Sequence, residues 1–111
     1  MPSYNQKEIN ESKRIGARPH KNSGRGMVEK GDGSNSLCVI DYKFANRSFT
    51  INQDKWAKIC SDTIKTDPDK YPMLLLILGE DGHPQTRLAV IEYALFQELL
   101  DEHDRIDQEK Q

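Results

Sequence analysis

The most hydrophobic run of the chain, Met73 to Leu78, limits the folds that the sequence can adopt. Its six apolar residues are bounded by Pro72 and Gly79, and this short length with these boundaries is typical of a strand rather than a helix. Because no polar residue interrupts the run, we expect both of its faces to be buried. The run therefore predicts the central core strand of a sheet.

The segments on either side of this run predict short helices and strands. We expect helices at residues 6–15, 53–65 and 94–103, and strands at residues 18–21, 37–40, 48–51 and 87–93. Asn5 and Asn52 are the predicted N-caps of the first two helices, and Gly16 is the predicted end of the first. The order αβββαββα, with a strand–helix–strand crossover from Phe49 to Met73, predicts an α/β fold with one mixed β-sheet flanked by helices.

The size and composition of the chain indicate one domain. Its 111 residues suffice for a single core, and we expect residues 1–5 and about 104–111 to be flexible. No apolar run reaches the roughly 18 to 20 residues that span a bilayer, and no signal peptide is visible. We therefore expect no membrane association and a cytoplasmic protein, in the host cytoplasm if the chain is phage-encoded. Cys38 and Cys60 have no metal-ligand spacing and are interpreted as buried free thiols.

Charge is unevenly distributed along the chain. The net charge is only −2, but the first 30 residues carry a positive excess and the tail from Glu98 is acidic. One end of the chain is therefore suited to contact phosphates, and the other is not.

A cluster of charges follows the predicted strand Leu37–Ile40. Asp41 and Lys43 are two residues apart and therefore lie on one face of the strand, and the turn from Gly33 to Ser36 can fold Asp32 back beside Asp41. Two adjacent carboxylates repel each other unless a cation lies between them. Mg²⁺ suits such a site because it prefers a few hard oxygen ligands, and Mn²⁺ is expected to substitute for it. The alternative is a hairpin whose charged ends simply point into water.

These residues resemble the signature of the PD-(D/E)xK nuclease superfamily, which consists of an acid, a β-hairpin and an acid-x-Lys. Lys30-Gly31-Asp32 and Asp41-Tyr42-Lys43 carry the resemblance. The loop Asn22–Gly26, and the segment Ser48–Ile51 followed by Trp56, look like the small phage-type Holliday junction resolvases of that superfamily. The resemblance implies a restriction-endonuclease-like core and a Mg²⁺-dependent endonuclease that cleaves phosphodiester bonds in branched or four-way-junction DNA. It also implies a homodimer, because symmetric cutting of a junction needs two sites related by a two-fold axis.

The resemblance also implies roles for individual residues. Asp32, Asp41, the backbone carbonyl of Tyr42 and Glu8 would hold the metal, with Glu11 as a second choice for Glu8. Lys43 would position the attacking water, and Gln53 at the start of the second helix would assist. The expected DNA contacts are Arg18, Lys21, Ser23, Arg25 and Lys30. Exposed apolar residues of the last helix, Leu95, Phe96 and Leu99, would supply part of the dimer interface.

Two residues depart from the family pattern. Asp41 stands where glutamate is commoner, which moves the carboxylate oxygens back by about one C–C bond, roughly 1.5 Å. Gly33 stands where an apolar residue is usual and is expected to loosen the hairpin.

Other functions fit the same sequence. One is a restriction-like or nicking nuclease of the same fold without junction preference. Another is a non-catalytic nucleic-acid-binding module that keeps the charge cluster for stability. A third is a regulatory or anti-host protein that acts through its acidic tail.

Overall fold

The computed structural model describes residues 4–20 and 32–110. Within these residues three helices and five strands alternate in the order αβββαββα. The elements are α1 (Tyr4–Ile15), β1 (Arg18–Pro19), β2 (Gly33–Ser34), β3 (Cys38–Ala45), α2 (Gln53–Thr66), β4 (Tyr71–Leu78), β5 (Thr86–Val90) and α3 (Tyr93–Glu109).

The described strands form one mixed sheet in the order β1-β2-β3-β4-β5. The β3–β4 pair is parallel, and the other three pairs are antiparallel. Leu74 to Ile77 of β4 are buried, as expected of a strand covered on both faces. The predicted mixed α/β architecture and its central core strand are therefore confirmed.

The two faces of β3 are covered by different helices. Ile40 and Tyr42 point into the larger core. This core also contains Leu75 and Ile77 of β4 and Leu95 of α3. Val39 points to the opposite face, where it lies near Ile59 of α2. β3 therefore carries its charged residues, Asp41 and Lys43, on the face that α2 covers.

Local sequence signals explain how the helices begin and end. Asn52 caps α2, because its side chain accepts a hydrogen bond of 2.9 Å from the backbone N–H of Lys55. Gly16 follows α1 with a φ of 73°, a conformation that glycine adopts without steric cost. Both predictions are confirmed, but α1 begins at Tyr4, so that Asn5 lies within the helix and is not its cap.

The strand predicted at residues 48–51 is absent from the structure. These residues have no regular structure, and the strand count is made up by the two-residue strand β2. β3 instead continues past the predicted strand end at Ile40 to Ala45, because it pairs in parallel with β4 over eight residues. The crossover accordingly joins β3 to β4 through α2.

The last helix is longer than predicted. α3 continues to Glu109, past the predicted end at His103, and Arg105 pairs with Glu102 and Glu109 on its surface. Leu95, which was expected at an exposed interface, is only 3% exposed and belongs to the core, whereas Phe96 and Leu99 are exposed.

Cys38 and Cys60 are free thiols, of which Cys38 is buried and Cys60 half-buried. No helix among the described residues is long and apolar enough to cross a membrane.

Candidate functional site

The β2–β3 hairpin brings Asp32, Asp41 and Lys43 together. The backbone N–H of Asp32 donates to the carbonyl of Ile40 at 2.8 Å, and the Asp32 Oδ2 accepts from the backbone N–H of Tyr42, also at 2.8 Å. Lys43 Nζ lies 3.3 Å from Asp41 Oδ2 on the same face of β3. Two carboxyls and an ammonium thus lie close together, one just before β2 and two in β3.

Glu8, rather than Glu11, is the α1 glutamate that reaches this cluster. Its carboxyl is buried and hydrogen-bonds with that of Asp32. Glu11 lies one turn further along and accepts three hydrogen bonds of 2.6 to 3.1 Å from Arg87 of β5. Of the two glutamates proposed from the sequence, Glu8 therefore lies at the cluster, whereas Glu11 is engaged by Arg87.

Two carboxyls of the cluster, those of Glu8 and Asp41, bind protons more tightly than isolated carboxyls do. Burial, and then the negative charge of Asp32, raise the pKa of Glu8 from its ordinary 4.5 to about 8. The same two causes raise the pKa of Asp41 from 3.8 to about 6, although Lys43 opposes the increase. Glu8 and Asp41 therefore hold protons more readily when no other cation is present beside these carboxyls.

The chemistry of the donors fits a hard divalent cation. Asp32 and Asp41 offer carboxylate oxygens, and Mg²⁺ is commonly bound by one or two carboxylates with several waters. Within residues 4–20 and 32–110, no three His, Cys, Asp or Glu side chains are arranged as a group that could hold a metal ion. Glu8 is thus a hydrogen-bond partner of Asp32 and not a third member of a ready-made ligand set.

A groove of about 310 Å³ opens beside Asp41 and Lys43, between β3 and the first turns of α2. Its apolar lining includes Phe49, Ile51 and Trp56. Its charged lining includes Lys55, Lys58 and Asp62, in addition to the two cluster residues. The groove is therefore continuous with the carboxylate cluster and combines aromatic side chains with cations.

The other residues proposed from the sequence do not all reach this site. Gln53 is exposed at the start of α2 and does not line the groove. Arg18 is exposed on β1, the first strand in the order of the sheet. The remaining predicted DNA contacts, Lys21, Ser23, Arg25 and Lys30, lie outside the described residues.

Sequence reasoning missed two groups of residues around the cluster. Lys55, Lys58 and Asp62 line the groove, and their spacings of three and four on a helix could have indicated a shared face. Ser12 and Tyr42 form a buried hydrogen bond of 2.5 Å between α1 and β3. Gly33 lies against this bond, since an added Cβ would come within 2.8 Å of the Tyr42 hydroxyl oxygen. Gly33 therefore permits close packing and does not loosen the hairpin as predicted.

Comparison of the chain with protein-family models, with curated proteins and with solved structures gives no match.

Proposed function

We propose that the protein is a Mg²⁺-dependent DNA endonuclease with a restriction-endonuclease-like core, and that it cleaves branched DNA such as a four-way junction. The observation that carries the proposal is the convergence of Asp32, Asp41 and Lys43 at one hairpin, with Lys43 Nζ 3.3 Å from Asp41 Oδ2. All three side chains are partly buried, and charges that serve only solubility have no reason to be partly buried together, because burial of like charges costs free energy.

Each residue of the cluster has a role in this proposal. Asp32 and Asp41 would hold the metal, with the Tyr42 carbonyl as a further oxygen donor, and Glu8 would join them only in its ionised form. When bound, Mg²⁺ supplies Lewis-acid stabilisation of the charge that develops on the phosphate oxygens. Lys43 orients the attacking water from the side of Asp41 and offsets negative charge on the phosphate.

Junction cleavage further requires two sites, which favours a homodimer. Phe96 and Leu99 on α3 are 47% and 44% exposed, and a small domain benefits from covering such surface. A two-fold dimer would place two hairpins on one DNA molecule.

The proposal is tested by incubating the protein with a four-way junction, a flap and a perfect duplex of matched sequence, with Mg²⁺ or with EDTA. We expect cutting of the junction that requires the metal. Asp41→Asn and Lys43→Ala should each reduce the cleavage rate by at least about a hundredfold, while binding to the junction in Ca²⁺ changes little.

Asp69→Asn and Lys65→Ala are matched controls, because both residues are exposed and neither lines the groove. Equal cutting of all three substrates would favour a nicking or restriction-like nuclease over a junction resolvase. Binding without any cutting in Mg²⁺ or Mn²⁺ would contradict the enzyme proposal and favour a non-catalytic binding module.

A further inference from the structure

The groove beside Asp41 and Lys43 has an apolar interior that a metal site alone does not require. Phe49, Ile51 and Trp56 line it, and Ile51 remains 44% exposed. The orientation of Trp56 is fixed, because its indole Nε1 donates to the Glu92 carboxylate at 3.1 Å. An exposed isoleucine beside an oriented indole offers a flat, unfilled surface to a ligand.

The rim of the same groove carries cations. Lys55 Nζ lies 4.6 Å from the centre of the Phe49 ring and donates to the carbonyl of Thr50 at 2.7 Å. Lys58 pairs with Asp62 at 2.8 Å and follows Lys55 by nearly one turn of the same helix, so that both lie on one face. With Lys43, the rim presents three ammonium groups against the two carboxylates of Asp41 and Asp62. This positive excess around an apolar interior complements an anionic ligand that has an apolar face.

We infer that this groove binds one unstacked nucleotide of the DNA substrate, with its base against Phe49, Ile51 and Trp56 and its phosphates near the lysines. Aromatic side chains that accept base faces, next to cations that track the backbone, are the common elements of single-strand binding sites. A base within a duplex is covered on both faces by its neighbours, so only an unpaired or extruded base can use this surface. The volume of about 310 Å³ suits one nucleotide and is too small for a duplex.

The position of the groove relates this nucleotide to the proposed chemistry. Asp41 and Lys43 belong both to the groove lining and to the carboxylate cluster. The bound nucleotide is therefore next to the phosphate that is cut. This relation rests on the proposed function, whereas binding to the groove does not depend on it.

Trp56 allows the inference to be tested directly, because it is the only tryptophan of the chain. The protein is titrated in EDTA with a short single-stranded oligothymidine and with a duplex of equal length, and tryptophan emission is recorded. We expect the single strand to quench the emission and to bind at least about tenfold more tightly than the duplex.

Ile51→Asp places a carboxylate in the groove and should weaken single-strand binding at least about tenfold. Ile64→Asp is the matched control, since Ile64 is 65% exposed on α2 and does not line the groove, and it should bind as the wild type does. Lys58→Gln should reduce the slope of log affinity against log salt by about 0.7, and Lys65→Gln should not.

The inference is overturned if the duplex quenches Trp56 as tightly as the single strand, or if single-strand binding leaves the emission unchanged. It is also overturned if Ile51→Asp and Ile64→Asp bind alike. Quenching without cleavage in Mg²⁺ would contradict the proposed function and leave the groove assignment intact. Cleavage without quenching would contradict the groove assignment and leave the proposed function intact.

Discussion

Protonation of Glu8 couples the stability of the protein to pH. The native state holds this proton up to a pH of about 8, whereas an unfolded glutamate releases it near 4.5. Between these values the native state binds more protons than the unfolded state, so the free energy of unfolding falls as the pH rises. Asp41, with a pKa of about 6 in the native state, further lowers the free energy of unfolding as the pH rises through the lower part of this range.

We predict that Glu8→Gln flattens this dependence. Without metal, in EDTA, the variant should be more stable than the wild type at pH 8 by on the order of 2 kcal/mol, and the difference should shrink towards pH 5. Thermal unfolding of both proteins at several pH values measures this difference in stability. Parallel curves for the two proteins would show that Glu8 is not buried with the other carboxyls.

Gly33 provides a second test at the scale of single residues. Gly33→Ala should destabilise the protein by about 1–3 kcal/mol, because the new Cβ would lie 2.8 Å from the Tyr42 hydroxyl oxygen and 3.0 Å from both the Arg18 carbonyl and Ser12 Oγ. Denaturant unfolding measures the loss.

Tyr42→Phe removes one of these contacts, so the cost of Gly33→Ala should be smaller in that background than in the wild type. If the two costs are equal, the hydroxyl does not limit the space at Gly33.

At the scale of elements, α1 is attached to the far side of the sheet by the Glu11–Arg87 ion pair. Glu11 is almost fully buried, and its side chain is 5% exposed against 24% for Arg87. Arg87→Ala should destabilise the protein by about 2–3 kcal/mol, because it leaves the buried Glu11 charge with only the exposed Arg14, whose Nε lies 3.5 Å away. Arg105→Ala, which breaks two ion pairs on the exposed face of α3, should change stability by no more than about 0.5 kcal/mol. Chemical denaturation of both variants makes the comparison, and equal effects would contradict the account of α1.

The elements that could be predicted are those whose signal lies in one segment. The apolar run at 73–78 gave the central strand, and Asn52 gave the start of α2, because burial and capping act locally. The segment 48–51 alternates in polarity as a strand does, but β3 already occupies the edge of β4 that it would need, through pairs such as Asp41↔Leu74. Alternating polarity therefore indicates that a segment could form a strand, but it does not show that another strand has a free edge to pair with it.

The same distinction applies to the candidate site. Asp32, Asp41 and Lys43 could be brought together from the sequence, because a hairpin relates residues that are close along the chain. The Glu11–Arg87 pair joins residues 76 positions apart, and the groove depends on how α2 lies across β3. Neither relation is encoded in a local pattern, so the choice between Glu8 and Glu11 and the groove lysines required the structure.

At the scale of the whole molecule, the exposed apolar residues of α3 provide a test of the proposed dimer. The large apolar residues of α3 with at least 37% exposure are Tyr93, Phe96, Leu99, Leu100 and Ile106. We expect the wild type to sediment as a dimer and Phe96→Glu with Leu99→Glu to sediment as a monomer, because buried charges oppose association. A wild type that stays monomeric at high concentration, or a variant that dimerises equally well, would remove α3 from the interface.

The most direct test of the account is whether the Asp32–Asp41 pair binds a divalent cation. Mn²⁺ binding to the wild type and to Asp41→Asn is measured by electron paramagnetic resonance at pH 7.5 and at pH 5.5. We predict one site per chain in the wild type, weaker at pH 5.5 because Asp41, with a pKa of about 6, is then protonated, and none in the variant. A wild type without a Mn²⁺ site, or a variant that binds Mn²⁺ as tightly as the wild type, would contradict the account.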